Sequence, residues 1–521
     1  MSTTAVKKTS LFVSAGIVSV ATAFSRILGL VREQVMAYFF GASMATDVFV
    51  TAFRIPNLLR DLFAEGALSS AFVPVFKEKL VNETDEQAFG LARTIATGIL
   101  VVVGLIVLLG IIASPIIIYL TAHGFTENAE KFDLTVSLTR LMFVYLLLVS
   151  LSALVMGMLN SFGRFGIPAL SPALFNIGVI VCTIGLYHYL DTPVYAMAIG
   201  VLIGGLGQLA VQLPLLVRIG FKFRPQFNFL DESVRKVLRL LGPMVAGLSA
   251  GRVNILVNTL IASFLVEGSI SYLNYSYRLM HFPLGVFAVA LGTVTLPNAS
   301  ELAARRQLDR LGAAFHQALN LNMFMIIPSA AYLAFLGLDL VQLIYQWGAF
   351  DEAAARSTAL ALLHYSYGLI GFAAVRVTVP IFYALKDARL PMYVSIASVV
   401  LNIALYYPFV KLLGFAGLAA ATSIAGLVNF GLLLFFLPRK EVPVNYAGLF
   451  LNITRICIAA LFAVWLAKMI PTDLAADGLV GRVVDLGLKT LAVGLLYFLF
   501  AFALRVEEAS LLFRRLVKRR T

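Results

Sequence analysis

About fourteen stretches of this 521-residue chain stay apolar over the length a helix needs to cross a bilayer. They fall at roughly 11–40, 46–75, 90–120, 134–160, 167–189 and 194–217. A second set falls at roughly 236–265, 271–298, 313–346, 356–385, 391–413 and 416–438, and two more at roughly 449–470 and 484–505. In hydrocarbon every backbone N–H and C=O must be satisfied inside the segment itself, so such runs are read as helices. The expected fold is an all-α polytopic membrane protein with about fourteen transmembrane helices. A mean hydropathy of +0.92 lies far outside the soluble range.

The connections fix the orientation. One alternate set is basic: Lys77 and Lys79; Arg164; Arg218, Lys222, Arg224, Arg235, Lys236 and Arg239; Arg305, Arg306 and Arg310; Lys386 and Arg389; Arg439 and Lys440. The tail from Arg514 to Arg520 joins it. The other set is neutral or acidic: Glu127, Glu130 and Asp133; Asp191; Glu267; Asp351 and Glu352; Asp473 and Asp477. Basic loops stay in the cytoplasm, so both termini are expected there. This rule also accounts for the net charge of +13 without a nucleic-acid partner. Lys7 and Lys8 before an apolar run imitate a signal peptide; the run carries Arg26 and Arg32 and reads as a retained first helix.

The chain repeats itself. RIPNLLRDLFAEGALSSAFVP from Arg54 lies over RLMHFPLGVFAVALGTVTLP from Arg278, matching Phe63 to Phe287 and, with one gap, Pro74 to Pro297. PALFNI, ending at Ile177, resembles SVVLNI, ending at Ile403. The period is about 225 residues. It spans about six helices, an even number, so both copies share one orientation, as in many transporters. The expected organisation is two six-helix parallel repeats, 1–220 and 221–440, followed by two extra C-terminal helices and a basic tail over 441–521.

Arginines interrupt this apolar chain where they are least welcome. Arg26, Arg32, Arg54 and Arg60 fall in the first two windows, and Arg252 and Arg278 in the seventh and eighth. Five or six such charges facing lipid would cost roughly 12–20 kcal/mol. They are therefore expected to face other helices, a wet cavity or a ligand. The acids nearby are fewer: Glu33, Asp47, Asp61 and Glu65. Surplus arginine in a membrane cavity suits an anion. Arg26 and Arg32, six apart, cannot share one narrow face of an ideal helix, and Gly29 between them is a candidate kink. Arg54, Asn57 and Arg60, at spacings of three, lie on one side of the second helix, which Pro56 should bend. Asp47 is expected near the outer mouth. Asp61 and Glu65, four apart, can pair with arginines or gate. Arg252, Ser271, Asn274, Arg278 and His281 are the corresponding set of the second copy. Tyr272, Tyr275 and Tyr277 read as packing residues. Arg376 interrupts the tenth window as a further cation, and GLAAATSIAGLVNFG from Gly417 reads as a close helix-packing face.

Several chemistries have no support. Cys182 and Cys457 make no disulfide framework. The five histidines show no ligand spacing, so no metal site is expected. No phosphate-binding loop of the GxxxxGK[ST] type is present, so no ATP-driven motor is expected within the chain.

FSRILGLVRE (24–33), ATDVFVTAFRIPNLLRDLFAEGALSSAFVP (45–74), MLNSFGRFGIPALSPALFNI (158–177) and YSYRLMHFPLGVFAVALGT (275–293) together resemble the MurJ (MviN) family of lipid II flippases. That family lies within the multidrug/oligosaccharidyl-lipid/polysaccharide exporter superfamily, and the likeness runs over the whole chain. The resemblance implies a bacterial inner-membrane flippase, not an enzyme, with lipid II as substrate. It implies a cationic cavity exposed alternately to cytoplasm and periplasm, and a groove for the lipid tail formed with the two extra helices. The family's important arginines fall on Arg26, Arg32, Arg60 and Arg278, and its important aspartate on Asp47. Two positions depart: Glu33 stands where Asp is frequent, and His281 where an acid can follow the last arginine. A sodium site of some members uses acids in later helices that have no assignable counterpart here.

No cofactor is expected; drive would come from the membrane potential or a monovalent ion. Moving one charge through 100 mV is worth about 2.3 kcal/mol. Membrane phospholipids and the peptidoglycan synthesis machinery are the expected partners besides lipid II. Two alternatives remain: export of another polyprenyl-linked glycan, and an integral-membrane enzyme acting on polyprenyl phosphates. The latter needs positioned carboxylates or a metal, and Asp61 and Glu65 are the only close acidic pair in these segments.

Overall fold

The computed structural model describes residues 2–61, 68–250, 252–470 and 478–510. Glu65, Asp473, Asp477 and the basic tail lie outside the described residues. The chain divides into two compact units, Met1–Ile270 and Ser271–Thr521. Every regular element among the described residues is helical.

In the first unit, α1 is Ser2–Phe40, α2 Met44–Arg60, α3 Ser69–Asn82, α4 Asp85–Gly98 and α5 Gly104–Thr121. A π-helical turn, Ile99–Val103, joins α4 to α5 in one rod. Next come α6 (Ala129–Ser161), α7 (Gly166–Leu186), α8 (Tyr195–Ala210), α9 (Leu213–Arg218), α10 (Glu232–Ala250) and α11 (Val253–Ala262). Phe72, Phe76, Phe89, Phe143 and Leu154 form the core where α3, α4, α5 and α6 meet. Glycine allows α7 and α8 to touch backbone to backbone. A Cβ on Gly200 would lie 2.6 Å from Val179, and one on Gly204 2.6 Å from Phe175. In lipid, with no hydrophobic drive between helices, such close approach supplies the packing energy.

The second unit holds α12 (Ser269–Pro283), most of which lies past the boundary, a π-helical turn Leu284–Ala288, and α13 (Val289–Ala304). It continues with α14 (Leu308–Phe335), α15 (Gly337–Tyr345), α16 (Glu352–Ala384), α17 (Arg389–Leu413), α18 (Ala416–Phe436), α19 (Tyr446–Lys468) and α20 (Leu479–Ala503). The window at 313–346 is thus two helices, because the backbone leaves helical geometry at Leu336 (φ −109°, ψ 12°). The run from Gly417 is a packing face: a Cβ on Gly371 of α16 would lie 2.6 Å from Gly426 of α18. The two added helices pack on each other and on α14, burying Ile456, Ala460, Val464 and Tyr497.

The repeat is visible in the element order. Helix α6 and helix α16 are both 33 residues long, and their N-caps work alike. Asn128 accepts from the Lys131 N–H at 3.1 Å, and Asp351 from the Ala354 N–H at 2.7 Å. The pairs α2 and α12, α7 and α17, and α8 and α18 start at the same offset of about 225 residues. The compact units break elsewhere, at 270, because α10 packs on α3 and α4, and α11 on α5.

Ten helices among the described residues are long and apolar enough to cross a membrane. The count of about fourteen is not reproduced by that measure, and the difference is physical. The four other windows are those of Arg26, Arg32, Arg54, Arg60, Arg252 and Arg278. Helices α2 and α3, α10 and α11, and α12 and α13 divide their windows into shorter pieces, and α1 carries Arg26, Arg32 and Glu33. By contrast α5 exposes Leu105, Leu108, Leu109, Ile112 and Ile116, and α20 exposes Leu488, Leu491, Leu495 and Leu499. These apolar stripes require lipid around them.

Candidate functional site

Four of the expected arginines of the first unit have protein partners. Arg32, on α1, pairs with Glu33 at 2.6 Å and lies 5.4 Å from the centre of the Phe175 ring of α7. Glu33 is 3% exposed, so this ion pair is held out of solvent. Arg26, two turns earlier, is exposed. Helix α1 runs unbroken through Gly29, and the expected kink is not what this glycine provides. Gly29 lies against α7, where a Cβ would be 3.8 Å from the Asn176 amide. Asn176 donates to the Ser25 carbonyl at 3.2 Å, which fixes α1 beside Arg26.

On α2, Arg54, Asn57 and Arg60 are half-buried. Arg54 donates to the Thr259 hydroxyl of α11. Arg60 contacts Asp61 at 2.9 Å, and Asp61 also binds Arg252 at 3.0 Å. One carboxylate therefore holds two guanidinium groups, from the end of α2 and the start of α11. Such charge-assisted bonds are short and directional. The excess of positive charge survives the pairing. Pro56 is buried in α2, and the backbone becomes π-helical at Asp61.

The other end of α2 is a latch. Asp47 is 2% exposed. Its Oδ2 accepts from the Gly268 N–H at 2.9 Å and lies 3.5 Å from Lys131 Nζ of α6. Gly268 has φ +85°, a conformation that glycine adopts without strain. The Met44 N–H donates to Glu267 at 2.8 Å beside it. The ammonium of Lys131 also sits 4.2 Å from the Phe125 ring centre. Sequence reasoning placed Asp47 at a mouth but missed Lys131, whose only signal was its place among the acidic residues Glu127, Glu130 and Asp133.

In the second unit Ser271 is fully buried at the start of α12. Arg278 is exposed. His281 sits one turn on, with Nδ1–H donating to the Tyr277 carbonyl at 3.1 Å and the Tyr277 ring 4.0 Å away. Tyr275 is buried against Tyr345 and Phe350, with ring centres 4.8 and 5.3 Å apart, as a packing residue. No group of His, Cys, Asp and Glu among the described residues has the geometry of a metal site.

A second polar feature lies away from these residues. A cavity of about 410 Å³ is lined by Lys79, Glu86, Arg93, Gln226 and Asp231 among others, none of them an expected site residue. Arg93 holds Glu86 at 2.6 Å. Arg93 also donates to the Lys222 carbonyl at 2.9 Å, and Thr97 accepts from the Gln226 N–H at 3.0 Å. These bonds fasten the 222–230 connection to α4.

A family model of the lipid II flippase MurJ matches residues 36–486. The lipid II flippase MurJ of Burkholderia cenocepacia is 35% identical over 81% of this chain and 83% of its own length. The probable lipid II flippase MurJ of Vibrio cholerae is 36% identical over 80% and 81%. Among solved structures, a lipid II flippase MurJ in an inward closed conformation aligns with a TM-score of 0.77 and 28% identity, covering 94% of this chain and 99% of that one. An inward-facing multidrug-resistance transporter of the MATE family aligns with a TM-score of 0.65 at 14% identity, over 80% of this chain and 94% of that one; it shares the fold. This multi-pass membrane protein belongs to the lipid II flippase MurJ family.

Proposed function

We propose that the chain carries lipid II across the bacterial cytoplasmic membrane from the inner to the outer leaflet, as a transporter and not an enzyme. The observation that carries this reading is the placement of Arg32, Arg54, Arg60, Arg252 and Arg278 on helices that interrupt an otherwise apolar chain of a lipid II flippase family. A diphosphate offers oxygens in the geometry that guanidinium groups bind two at a time. Arg26, Arg32, Arg54, Asn57, Arg60, Arg252, Ser271 and Arg278 are the substrate-binding residues of the proposal. Glu33, Asp47, Asp61 and Glu65 are its gating residues.

In this scheme Asp61 is released as substrate oxyanions replace it on Arg60 and Arg252. The latch at Asp47, Gly268 and Lys131 opens when the site faces outward. Those contacts join α2 and α6 of the first repeat copy to the loop after α11 of the second. The moving bodies are the copies 1–220 and 221–440, and α19 and α20 hold the lipid tail. Both termini are cytoplasmic, supported by the alternation of basic and acidic connections. The membrane potential or a monovalent ion supplies the drive.

Depletion of the protein tests the reading. Lipid II should accumulate, and should be confined to the cytoplasmic leaflet. Accumulation of a different polyprenyl-linked glycan would assign the chain another cargo, and no accumulation would reject transport of such lipids.

A further inference from the structure

We propose that Ser152 of α6, with Gln208 and Gln212 at the end of α8, forms a binding site for a monovalent alkali cation, sodium or potassium, inside the first unit. The inference goes beyond the flippase reading and does not depend on the cargo. The window at 194–217 is interrupted near its end: α8 stops at Ala210 and α9 begins at Leu213. The Gln212 N–H turns to the Leu209 carbonyl at 3.1 Å, not to the Gln208 carbonyl that a regular α-helix would offer it. Pro214 has no N–H to return to the Ala210 carbonyl. The Gln208 carbonyl is left to side chains, accepting from Gln212 Nε2 at 2.9 Å and from Ser152 Oγ at 3.3 Å. Interrupted membrane helices turn backbone carbonyls toward cations in this way.

The side chains are held out of solvent: Gln212 is fully buried, and Gln208 and Ser152 are nearly so. Gln212 Nε2 donates to Ser152 Oγ at 2.7 Å and to the Ser152 carbonyl at 3.3 Å, besides its bond to the Gln208 carbonyl. These contacts fix the amide, because its oxygen in that place would face two carbonyl oxygens. Gln212 Oε1 therefore points the other way, and among the described residues it accepts no hydrogen bond; nor does Gln208 Oε1. Residues four apart share one helix face, which brings the two amides together. The hydrogens of the Ser152 hydroxyl and of the Gln212 amide are already used. What they leave is a set of neutral oxygens at the C-terminal end of α8, where the helix dipole favours positive charge. A water there could donate to both amide oxygens but would find no donor from Ser152 or Gln212 for itself. With no carboxylate in the set, a single positive charge suits it better than a double one.

Purified full-length protein in detergent would be melted in sodium, potassium and N-methylglucamine chloride at equal ionic strength, over a range of concentrations. The melting temperature should rise saturably with sodium or potassium, and not with the bulky organic cation. The alkali ion that acts at the lower concentration is the occupant. Gln208→Leu, Gln212→Leu and Ser152→Ala should each weaken the apparent affinity about tenfold. Gln208→Glu keeps an oxygen in place and adds charge, so it should tighten the response to the alkali ion and confer one to calcium. That gain can be read even if a leucine variant fails to fold. Equal melting in all three salts, for the parent and for Gln208→Glu alike, would overturn the proposal and leave the amide oxygens to a buried water. A saturable response that survives unchanged in Gln208→Leu and Ser152→Ala would place the ion elsewhere and would overturn it too.

Discussion

Helices α2 and α12 are two copies of one segment that have come to handle charge differently. Each begins after a short connection, each carries the arginine that the repeat aligns (Arg54 and Arg278), and each turns π-helical soon after it, at Asp61 and at Leu284–Ala288. Such turns recur at functional sites, where they re-aim side chains. Around α2 the arginines are answered by acids: Asp61 holds Arg60 and Arg252, and Glu33 holds Arg32. On α12 Arg278 lies one turn before His281, whose imidazole is bonded to the Tyr277 carbonyl. The repeat fixes the backbone device in both copies. At the end of α2 the side chains form ion pairs, whereas on α12 an exposed arginine is followed one turn on by a histidine.

That contrast is sharpest for the arginines themselves, where the largest effect is expected. Arg32→Ala and Arg278→Ala should each abolish complementation of a strain lacking the protein, with membrane abundance unchanged. Lysine should rescue only in part, since it lacks the planar two-point contact. Full complementation by both alanine variants would remove the anion site from the account.

An intermediate effect is expected at the latch. Removing one partner of a buried ion pair costs about 3–5 kcal/mol when the other stays buried; Lys131 retains some exposure, so the loss should be smaller. Asp47→Asn should raise labelling of a cysteine placed at Ser43 by an impermeant thiol reagent and slow lipid II transport. Unchanged labelling would mean that Asp47 does not hold this end closed.

The smallest effect is expected far from both copies' arginines. Asp387 accepts from Lys440 at 2.7 Å and from the Arg389 and Leu390 N–H groups, which hold its carboxyl below the usual range. A lowered folded-state value means stability that is complete above about pH 4 and is lost as pH falls through the lowered value. Asp387→Asn should therefore slightly reduce the melting temperature at neutral pH and bring it level with the parent in strong acid. A constant difference at every pH would show that the charge is not its source.

Much of this was legible in the sequence because lipid leaves so few choices. A run such as 134–160 has one solution, a helix, and the structure gives α6. The alignment of Arg54 with Arg278 located two helices with the same break. Where sequence reading fell short, the missing information was tertiary. Lys131 meets Asp47 across the fold, and nothing local in the chain links them. Gly29 looked like a hinge because glycine suits both a bend and a close contact; only the position of Asn176 decides between them. The windows also merged α14 with α15, since hydropathy does not register a single non-helical residue at Leu336.

The claim that translocation requires the N-terminal end of α2 to part from the loop after α11 is open to one direct measurement. Cys182 and Cys457 would first be replaced, and cysteines introduced at Met44 and Glu267, whose backbone N–H and carboxylate now meet at 2.8 Å. The purified protein would be reconstituted with lipid II, bridged with a short cleavable thiol crosslinker, and assayed for transport before and after cleavage. Transport should stop on bridging and return on cleavage. Transport at the uncrosslinked rate in the bridged protein would contradict alternating access at this end, and would favour a fixed groove along which the head group slides.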